Sequence, residues 1–291
     1  MQNNSTEYKK VLQYCYDILI QKQKEIPINQ IVCLIAEVLK VDPLNLQINK
    51  DLRIKFKKKK RILKKFYFLL NKKPLSRIIG RKEFYSKDFF INKFTLDPRS
   101  DTETLVESVL KITVNLKKKN KIKILELGSG SGCVLSTVAN ELQFIRDDFK
   151  ILGIDICDKA LEVASKNVRK YKLEKFIKLL KSNWFSNIKG TFDVIYTNPP
   201  YVKSIDYKNL DPSVTFDPYI SLFAGFDGLS SFKTIADQIS PYLSKNGFFC
   251  TEIGFEQGQP VREIFENKDF EYYTSHKDLA GIDRCIVFHK K

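Results

Sequence analysis

Asn198-Pro199-Pro200-Tyr201 follows the apolar run Phe192 to Thr197. These four residue types, in this order, suit the presentation of a planar NH2 group to an electrophile. A side-chain amide, or an exocyclic amine on a base, is a poor nucleophile because its lone pair is delocalised into the attached π system. Acceptors on both of its hydrogens draw the nitrogen towards tetrahedral geometry and free that pair. The Asn198 side-chain oxygen is the candidate for one acceptor and the Pro199 carbonyl for the other. Consecutive prolines at 199 and 200 fix φ and remove two backbone donors, so the carbonyl meets little local competition. Tyr201 offers a flat face for a planar amide or a base. Asn-Pro is also a common turn dipeptide, and a proline-rich turn ending a strand accounts equally well for these residues taken alone.

The elements upstream weigh on that choice. Lys121 to Leu127 alternates and then becomes apolar, as a strand entering a buried sheet does, and runs into Gly128-Ser129-Gly130-Ser131-Gly132. A helical pattern follows from Cys133 to Leu142. Glycines at alternate positions allow a tight strand-to-helix turn and close approach of a ligand to the backbone. Cys133 stands where a dinucleotide-binding turn has its last glycine, so the pattern is not G-x-G-x-x-G. A second strand, Lys150 to Ile154, ends at Asp155, which is placed to accept hydrogen bonds from ribose hydroxyls. The competing role for Asp155, shared with Asp158, is the N-cap of a helix over Lys159–Tyr171. A third strand, Ile177 to Lys181, leads to Ser182-Asn183-Trp184-Phe185, with the only tryptophan where the sheet edge would meet an adenine ring.

Glu126-Leu127-Gly128-Ser129-Gly130-Ser131-Gly132, then Asp155, then Asn198-Pro199-Pro200-Tyr201 thus fall on successive strand ends. This order resembles the class I S-adenosylmethionine-dependent methyltransferases. The resemblance implies a Rossmann-like α/β domain with a mostly parallel seven-stranded sheet and helices on both faces. It further implies cofactor contacts from Gly128, Ser129, Gly130, Ser131, Gly132, Asp155, Trp184 and Asn198. Asn198, Pro199, Pro200 and Tyr201 would hold the substrate, with Asn198, Pro199 and Tyr201 catalytic and S-adenosylhomocysteine as the product. The Asn-Pro-Pro-Tyr form is shared by enzymes that methylate amino nitrogens of adenine, cytosine or glutamine side chains.

At 291 residues the chain has room for one large domain and a small one. Tyr8, Val11, Leu12, Cys15, Ile18 and Leu19 share helical spacing, as do Ile31, Leu34, Ile35, Val38 and Leu39. A third helix is expected from Asp51 to Asn71, with Leu52, Phe56, Leu63, Phe66 and Leu70 inward and Pro74 ending it. Residues 1–73 therefore read as a helical bundle, 74–100 as a connecting hairpin and linker, and 101–291 as the methyltransferase-like domain. Phe84 to Ile91 alternates as a hairpin, and Ser100 with Glu103 forms a capping box before the next helix.

The whole arrangement resembles the peptide chain release factor N5-glutamine methyltransferases (the PrmC/HemK type). The resemblance rests on Pro74 to Gly80, Glu83-Phe84, Pro98-Arg99-Ser100-Asp101-Thr102-Glu103, Ser182 to Phe185, Asn198 to Tyr201, Phe216-Asp217-Pro218, and Glu252-Ile253-Gly254 with Gln257-Gly258. It implies methylation of the Gly-Gly-Gln loop of class 1 release factors, with the bundle docking that protein. Ser100 stands where the family often has proline. Asn183 stands where an aspartate is usual, so an amide replaces a charge at the adenine edge.

Net charge is +16, and the run Lys55 to Arg61 with Lys64 and Lys65 would attract phosphate. Lysine outnumbers arginine by 41 to 9 over the chain, however, which favours a solvated face over a tuned nucleic-acid site. Nucleic acid is not required by this reading. The six cysteines include no C-x-x-C pair, so neither a metal nor a disulfide framework is expected. Cys250 and Cys285 read as buried strand thiols, and His276 and His289 as surface or edge positions without a catalytic role. With no signal core and no apolar stretch long enough to span a membrane, a cytoplasmic monomer is expected. Three alternatives stand beside the release factor reading. One is a glutamine methyltransferase of a ribosomal protein and another an amino-group methyltransferase of nucleic acid. The last is a non-catalytic module of the same fold.

Overall fold

The structure is a computed structural model that describes residues 5–49, 52–116 and 121–291. The described chain forms two compact units, one reaching to Gly80 and taking in Asp211–Phe216, the other formed by Arg81–Leu210 and Asp217–Lys291.

In the first unit, β1 (Ser5–Glu7) leads into α1 (Tyr8–Gln21), and α2 (Ile28–Leu39) and α3 (Pro43–Ile48) follow. Asp42 caps α3, its Oδ1 accepting from the Leu44 N–H at 2.7 Å. β2 (Arg53–Lys55) pairs antiparallel with β1 and opens into α4 (Phe56–Leu70), and α5 (Leu75–Ile79) ends at left-handed Gly80. α1 buries Tyr8, Val11, Cys15 and Leu19, while α2 buries Ile31, Leu34, Ile35, Val38 and Leu39. The third helix departs from expectation. Asp51 lies outside the described residues, and residues 53–55 are spent on a strand, so the helix starts at Phe56. That phase leaves Phe56 61% exposed and turns Ile62, Phe66, Leu69 and Leu70 inward. The segment expected to connect, 74–100, is divided at Gly80: α5 goes with the helices and the hairpin with the sheet.

The second unit begins with the hairpin β3 (Arg81–Phe84) and β4 (Lys87–Phe90), followed by α6 (Glu103–Asn115). Tyr85 and Ser86 both take positive φ, 51° and 55°, the backbone that a two-residue hairpin turn demands. The expected capping box does not form. Glu103 Oε1 instead accepts the Tyr85 N–H at 2.8 Å, and Ser100 lies in a short 3-10 turn before the helix. The hairpin thus takes the carboxylate that the box would have used.

The sheet then builds in order from β5 (Ile122–Leu127), α7 (Cys133–Leu142), β6 (Phe149–Asp155), α8 (Asp158–Lys170), β7 (Ile177–Lys181) and β8 (Phe192–Thr197). It is completed by α9 (Ser230–Gln238), β9 (Leu243–Glu252), α10 (Gly258–Glu266), β10 (Phe270–Lys277) and β11 (Asp283–Lys290). Its seven strands lie in the order β10-β11-β9-β8-β5-β6-β7, parallel except for β11, which runs against both neighbours. Helices cover both faces, so each central strand is buried twice. Ile124, Val194 and Val138 pack in one layer, and Leu125, Ile195, Phe232 and Phe249 in the other. This double burial is why β5 and β8 read as near-continuous apolar runs. From β5 the chain winds outward to β7 and returns to β8 on the other side. The carboxyl ends of β5 and β8 therefore flank the reversal of strand order, where open α/β sheets hold ligands.

Candidate active site

At the carboxyl end of β5 the chain turns through Gly128, Gly130 and Gly132 with φ of 70°, 54° and 74°. This is left-handed backbone that other residues adopt only with strain. A Cβ built on Gly128 or Gly130 meets nothing within 4 Å, whereas one on Gly132 lies 3.0 Å from the Ala164 Cβ. The first two glycines therefore face open space, and the third permits α7 to pack against α8. Both of the first two line a cleft with about 1080 Å³ of space between its walls, part of it open to solvent. Its other walls include Phe94, Pro98, Thr102, Glu126, Asp155, Ser182, Asn183, Trp184, Asn198 and Pro200.

Asp155 ends β6 beside the turn. Its Oδ2 accepts the Gly130 N–H at 2.8 Å and its Oδ1 the Cys157 N–H at 2.8 Å. It does not cap α8, whose N-cap is Cys157. Burial raises the Asp155 pKa, and the backbone donors at Cys157, Gly130 and Ile156 work against that rise. Each carboxylate oxygen retains a further acceptor site for a hydroxyl pair in the cleft. Trp184, held at φ 46°, and Asn183 form the wall next to Ser182, whose hydroxyl donates to the Trp184 carbonyl at 2.7 Å.

Glu126 opens the glycine-turn motif and proves to be a wall residue, a role the sequence did not assign to it. Its carboxyl is 3% exposed, its Oε2 has no hydrogen-bond partner, and burial pushes its pKa well up. The Ser129 hydroxyl lowers that pKa and the neighbouring Asp155 raises it. A cation in the cleft would favour the ionised form of both acids, against the burial that raises them. The turn is braced from behind by Asn167, which is fully buried on α8. Asn167 Nδ2 donates to the Ser131 carbonyl at 2.8 Å and the Phe90 carbonyl at 2.9 Å, and Oδ1 accepts the Phe90 N–H at 2.8 Å.

Asn198 follows β8 directly, opposite the turn. Its Nδ2 donates to the Thr102 hydroxyl at 3.1 Å, which leaves its Oδ1 for the cleft. Pro200 lines the cleft, while Pro199 is buried. The Tyr201 ring packs against the core, and its hydroxyl donates to Glu252 Oε1 at 3.1 Å. Burial, with the adjacent Glu252 charge, pushes the Tyr201 phenol far up. Burial likewise raises Glu252 to about 7, with Thr102 and Tyr201 pulling it down. Among the described residues Glu252 Oε2 has no hydrogen-bond partner.

The loop after Tyr201 is clamped by Gln257, 6% exposed. Its Nε2 donates to the carbonyls of Tyr201 at 3.0 Å and Gly228 at 3.2 Å, and its Oε1 accepts the Gly254 N–H at 2.9 Å. A Cβ at Gly254 would lie 2.8 Å from Gln257 Oε1 and 3.0 Å from the Tyr201 ring, so that glycine keeps room for both. Asp217 secures the opposite rim. It accepts the Asp97 N–H at 3.2 Å and pairs with the Arg99 guanidinium at 2.5 Å, fixing Pro98 in the cleft wall.

Neither histidine lines the cleft; His276 Nδ1 sits 2.9 Å from the Ser108 hydroxyl on edge strand β10. Cys250 and Cys285 are fully buried in β9 and β11. Among the described residues no group of His, Cys, Asp and Glu could hold a metal ion, and no helix is long and apolar enough to cross a membrane.

Residues 106–210 match the family model of the methyltransferase small domain. The chain is 36% identical over 219 residues to a release factor glutamine methyltransferase of Agrobacterium fabrum, covering 75% of this chain and 74% of that one. It is 38% identical over 245 residues to a bifunctional methyltransferase of Rickettsia felis, covering 75% of this chain and 46% of that protein. The chain thus spans about half the length of that second relative. The solved catalytic domain of hMettl16, in complex with a MAT2A 3′UTR hairpin, matches with a TM-score of 0.53 at 16% identity over 69% of this chain and 74% of that one. At that identity the likeness is one of fold.

Proposed function

The chain belongs to the release factor glutamine methyltransferase family, and on that premise we propose that it methylates the side-chain amide nitrogen (N5) of the glutamine in the Gly-Gly-Gln loop of class 1 peptide chain release factors. The methyl donor in this reading is S-adenosylmethionine, which supplies an electrophilic methyl group on a sulfonium and leaves as S-adenosylhomocysteine. The residues present fit it. Gly128 and Gly130 leave open a cradle that any Cβ would enter, and the carboxyls of Glu126 and Asp155, both raised by burial, stand where a cationic donor would favour their ionised forms. Trp184 and Asn183 stand where the flat adenine would lie, and Asp155 would take the ribose hydroxyls.

The observation that carries the proposal is the Asn198 amide. Thr102 engages its NH2 at 3.1 Å, so the oxygen is the atom left for the cleft. There it accepts one hydrogen of the substrate NH2, while the Pro199 carbonyl is assigned the other and Tyr201 supports the planar amide. Bound there, S-adenosylmethionine would supply the methyl group, and the amide nitrogen that receives it would give up its extra proton to solvent. Because the sulfonium is already activated, the protein's contribution is orientation and exclusion of water. No strong general base is needed. We assign docking of the release factor to the helical unit. A variant lacking residues 1–73 should then lose methylation of the intact factor more than of a Gly-Gly-Gln peptide.

Asn198→Ala separates chemistry from cofactor binding. Its kcat on a purified release factor should fall by about two orders of magnitude. The Kd for S-adenosylhomocysteine should stay within about threefold, which is well under 1 kcal/mol. Undiminished turnover would remove Asn198 from the acceptor role.

A further inference from the structure

α4 turns Ile62, Phe66, Leu69 and Leu70 to the core of the helical unit and carries no acid anywhere along its length. Its opposite side reads in two rows at helical spacing. Phe56, Lys60, Lys64 and Tyr67 follow one another along the first, and Lys57, Arg61, Lys64 and Phe68 along the second, all of them exposed. Among the described residues no acid pairs with Lys57, Lys60, Arg61 or Lys64. The like charges press on one another instead. Lys65, whose Nζ donates to the Ile78 carbonyl at 2.5 Å, is held below the usual lysine range by burial and by the Arg61 charge.

A chain rich in lysine throughout accounts for charge on a solvated face. It does not account for the rings. Phe56 and Tyr67 are each 61% exposed and Phe68 is 40% exposed, so aromatic surface stands in water at both ends of the cationic rows. Lys73 adds a further cation there, its Nζ 5.3 Å from the centre of the Phe68 ring.

We propose that this face of α4 binds single-stranded nucleic acid, its cations on the phosphates and its rings stacked against bases. The proposal concerns binding alone, with no methylation of the bound strand, and it does not depend on the release factor reading. An acidic protein surface would complement the charge but leave the rings unused. A nucleotide strand offers both a charge and a flat π face at each repeat. Successive turns of α4 bring cations round about every 5.4 Å, a spacing that the phosphates of an extended strand can follow. Lysine is a point charge that does not fork onto a base edge, so such binding tolerates sequence. The lysine bias that argues against base reading leaves backbone binding open.

Fluorescence anisotropy of the full-length protein with a labelled oligouridylate of about ten nucleotides tests this, since Phe56 to Phe68 spans roughly 18 Å. The Kd should be about 1–100 μM near physiological salt, and affinity should fall with about the third power of salt concentration. An oligothymidylate of the same length should bind within about threefold of it, because bases and phosphates alone are held. Together, Lys57→Gln, Lys60→Gln, Arg61→Gln and Lys64→Gln should weaken binding by about tenfold or more. The control set Lys172→Gln, Lys175→Gln, Lys178→Gln and Lys189→Gln removes the same charge from exposed positions of the sheet unit and should cost less than about threefold. Lys64→Gln alone should lower the salt exponent by about 0.7, and Phe56→Ala with Tyr67→Ala should cost about tenfold with the exponent unchanged. Equal losses in the two four-residue sets would mean that net charge alone attracts the probe, and undiminished affinity in the ring variant would mean that no base stacks there. Either result overturns the proposal. So does an α4 set that loses a purified release factor while holding the oligonucleotide as well as the control set does, which would assign the face to an acidic protein.

Discussion

Gly130→Ala and Gly132→Ala make the same chemical change two residues apart and should fail for different reasons. At Gly130 the φ of 54° costs an L-residue about 1–2 kcal/mol, and no neighbour lies within 4 Å of the new Cβ. For the sheet unit that is a fall in Tm of roughly 2–8 °C. The methyl group then stands in the cleft against the position assigned to the donor. The Kd for S-adenosylhomocysteine should rise by about 100-fold, or about 2.7 kcal/mol. At Gly132 a similar backbone cost adds to a Cβ only 3.0 Å from the Ala164 Cβ and 3.1 Å from its Cα. Overpacking of that kind costs about 1–3 kcal/mol more. Thermal denaturation and titration calorimetry on both variants read the two effects separately. Gly130→Ala should lose binding more than stability, and Gly132→Ala stability more than binding. Wild-type affinity in folded Gly130→Ala would refute the placement of the donor against this turn.

Asn167→Ala removes three hydrogen bonds to the backbone of Phe90 and Ser131, and chemical denaturation should show a loss of about 2–3 kcal/mol. Arg99→Ala removes one charged partner of a nearly buried Asp217 carboxylate at 2.5 Å, and proteolysis should begin at the loosened segment around Pro98 before the sheet unfolds. Glu252 is raised in the folded state from 4.5 to about 7, so its contribution to stability is full below pH 4.5 and is lost as pH rises through 7. Denaturation midpoints across that range should fall more steeply with pH in the wild type than in Glu252→Gln.

The parts of this molecule legible in its sequence are those fixed by local pattern. β7 and α7 begin and end where the apolar spacing and the glycines put them, because both are decided within a few residues of chain. The turn at Gly128–Gly132, Asp155 and Asn198 stand on successive strand ends, as their order along the chain implies. Partners far apart in sequence leave no such trace. Asn198 finds Thr102, Asn167 finds Phe90, and Asp217 finds Asp97 and Arg99, each across most of a domain. Asn167 is an ordinary polar residue until the fold brings the backbone of Phe90 and Ser131 to it, and the motifs that hold Thr102 and Gln257 do not show which groups those side chains meet. Glu103 shows the same effect in reverse, since a good local partner in Ser100 loses to the hairpin N–H of Tyr85. The inward placement expected of Phe56 fails because a three-residue strand resets the phase of its helix.

In the proposed reaction one glutamine nitrogen of a release factor receives the methyl group. Peptide mapping by mass spectrometry, after incubating the protein with S-adenosylmethionine and a purified class 1 release factor, tests it directly. One added methyl is expected on the Gly-Gly-Gln glutamine, absent when that glutamine is changed to alanine and about 100-fold slower to appear with Asn198→Ala. Methylation of a ribosomal protein, or of purified DNA or RNA, at a higher rate than the release factor, with that loop left unmodified, would contradict it.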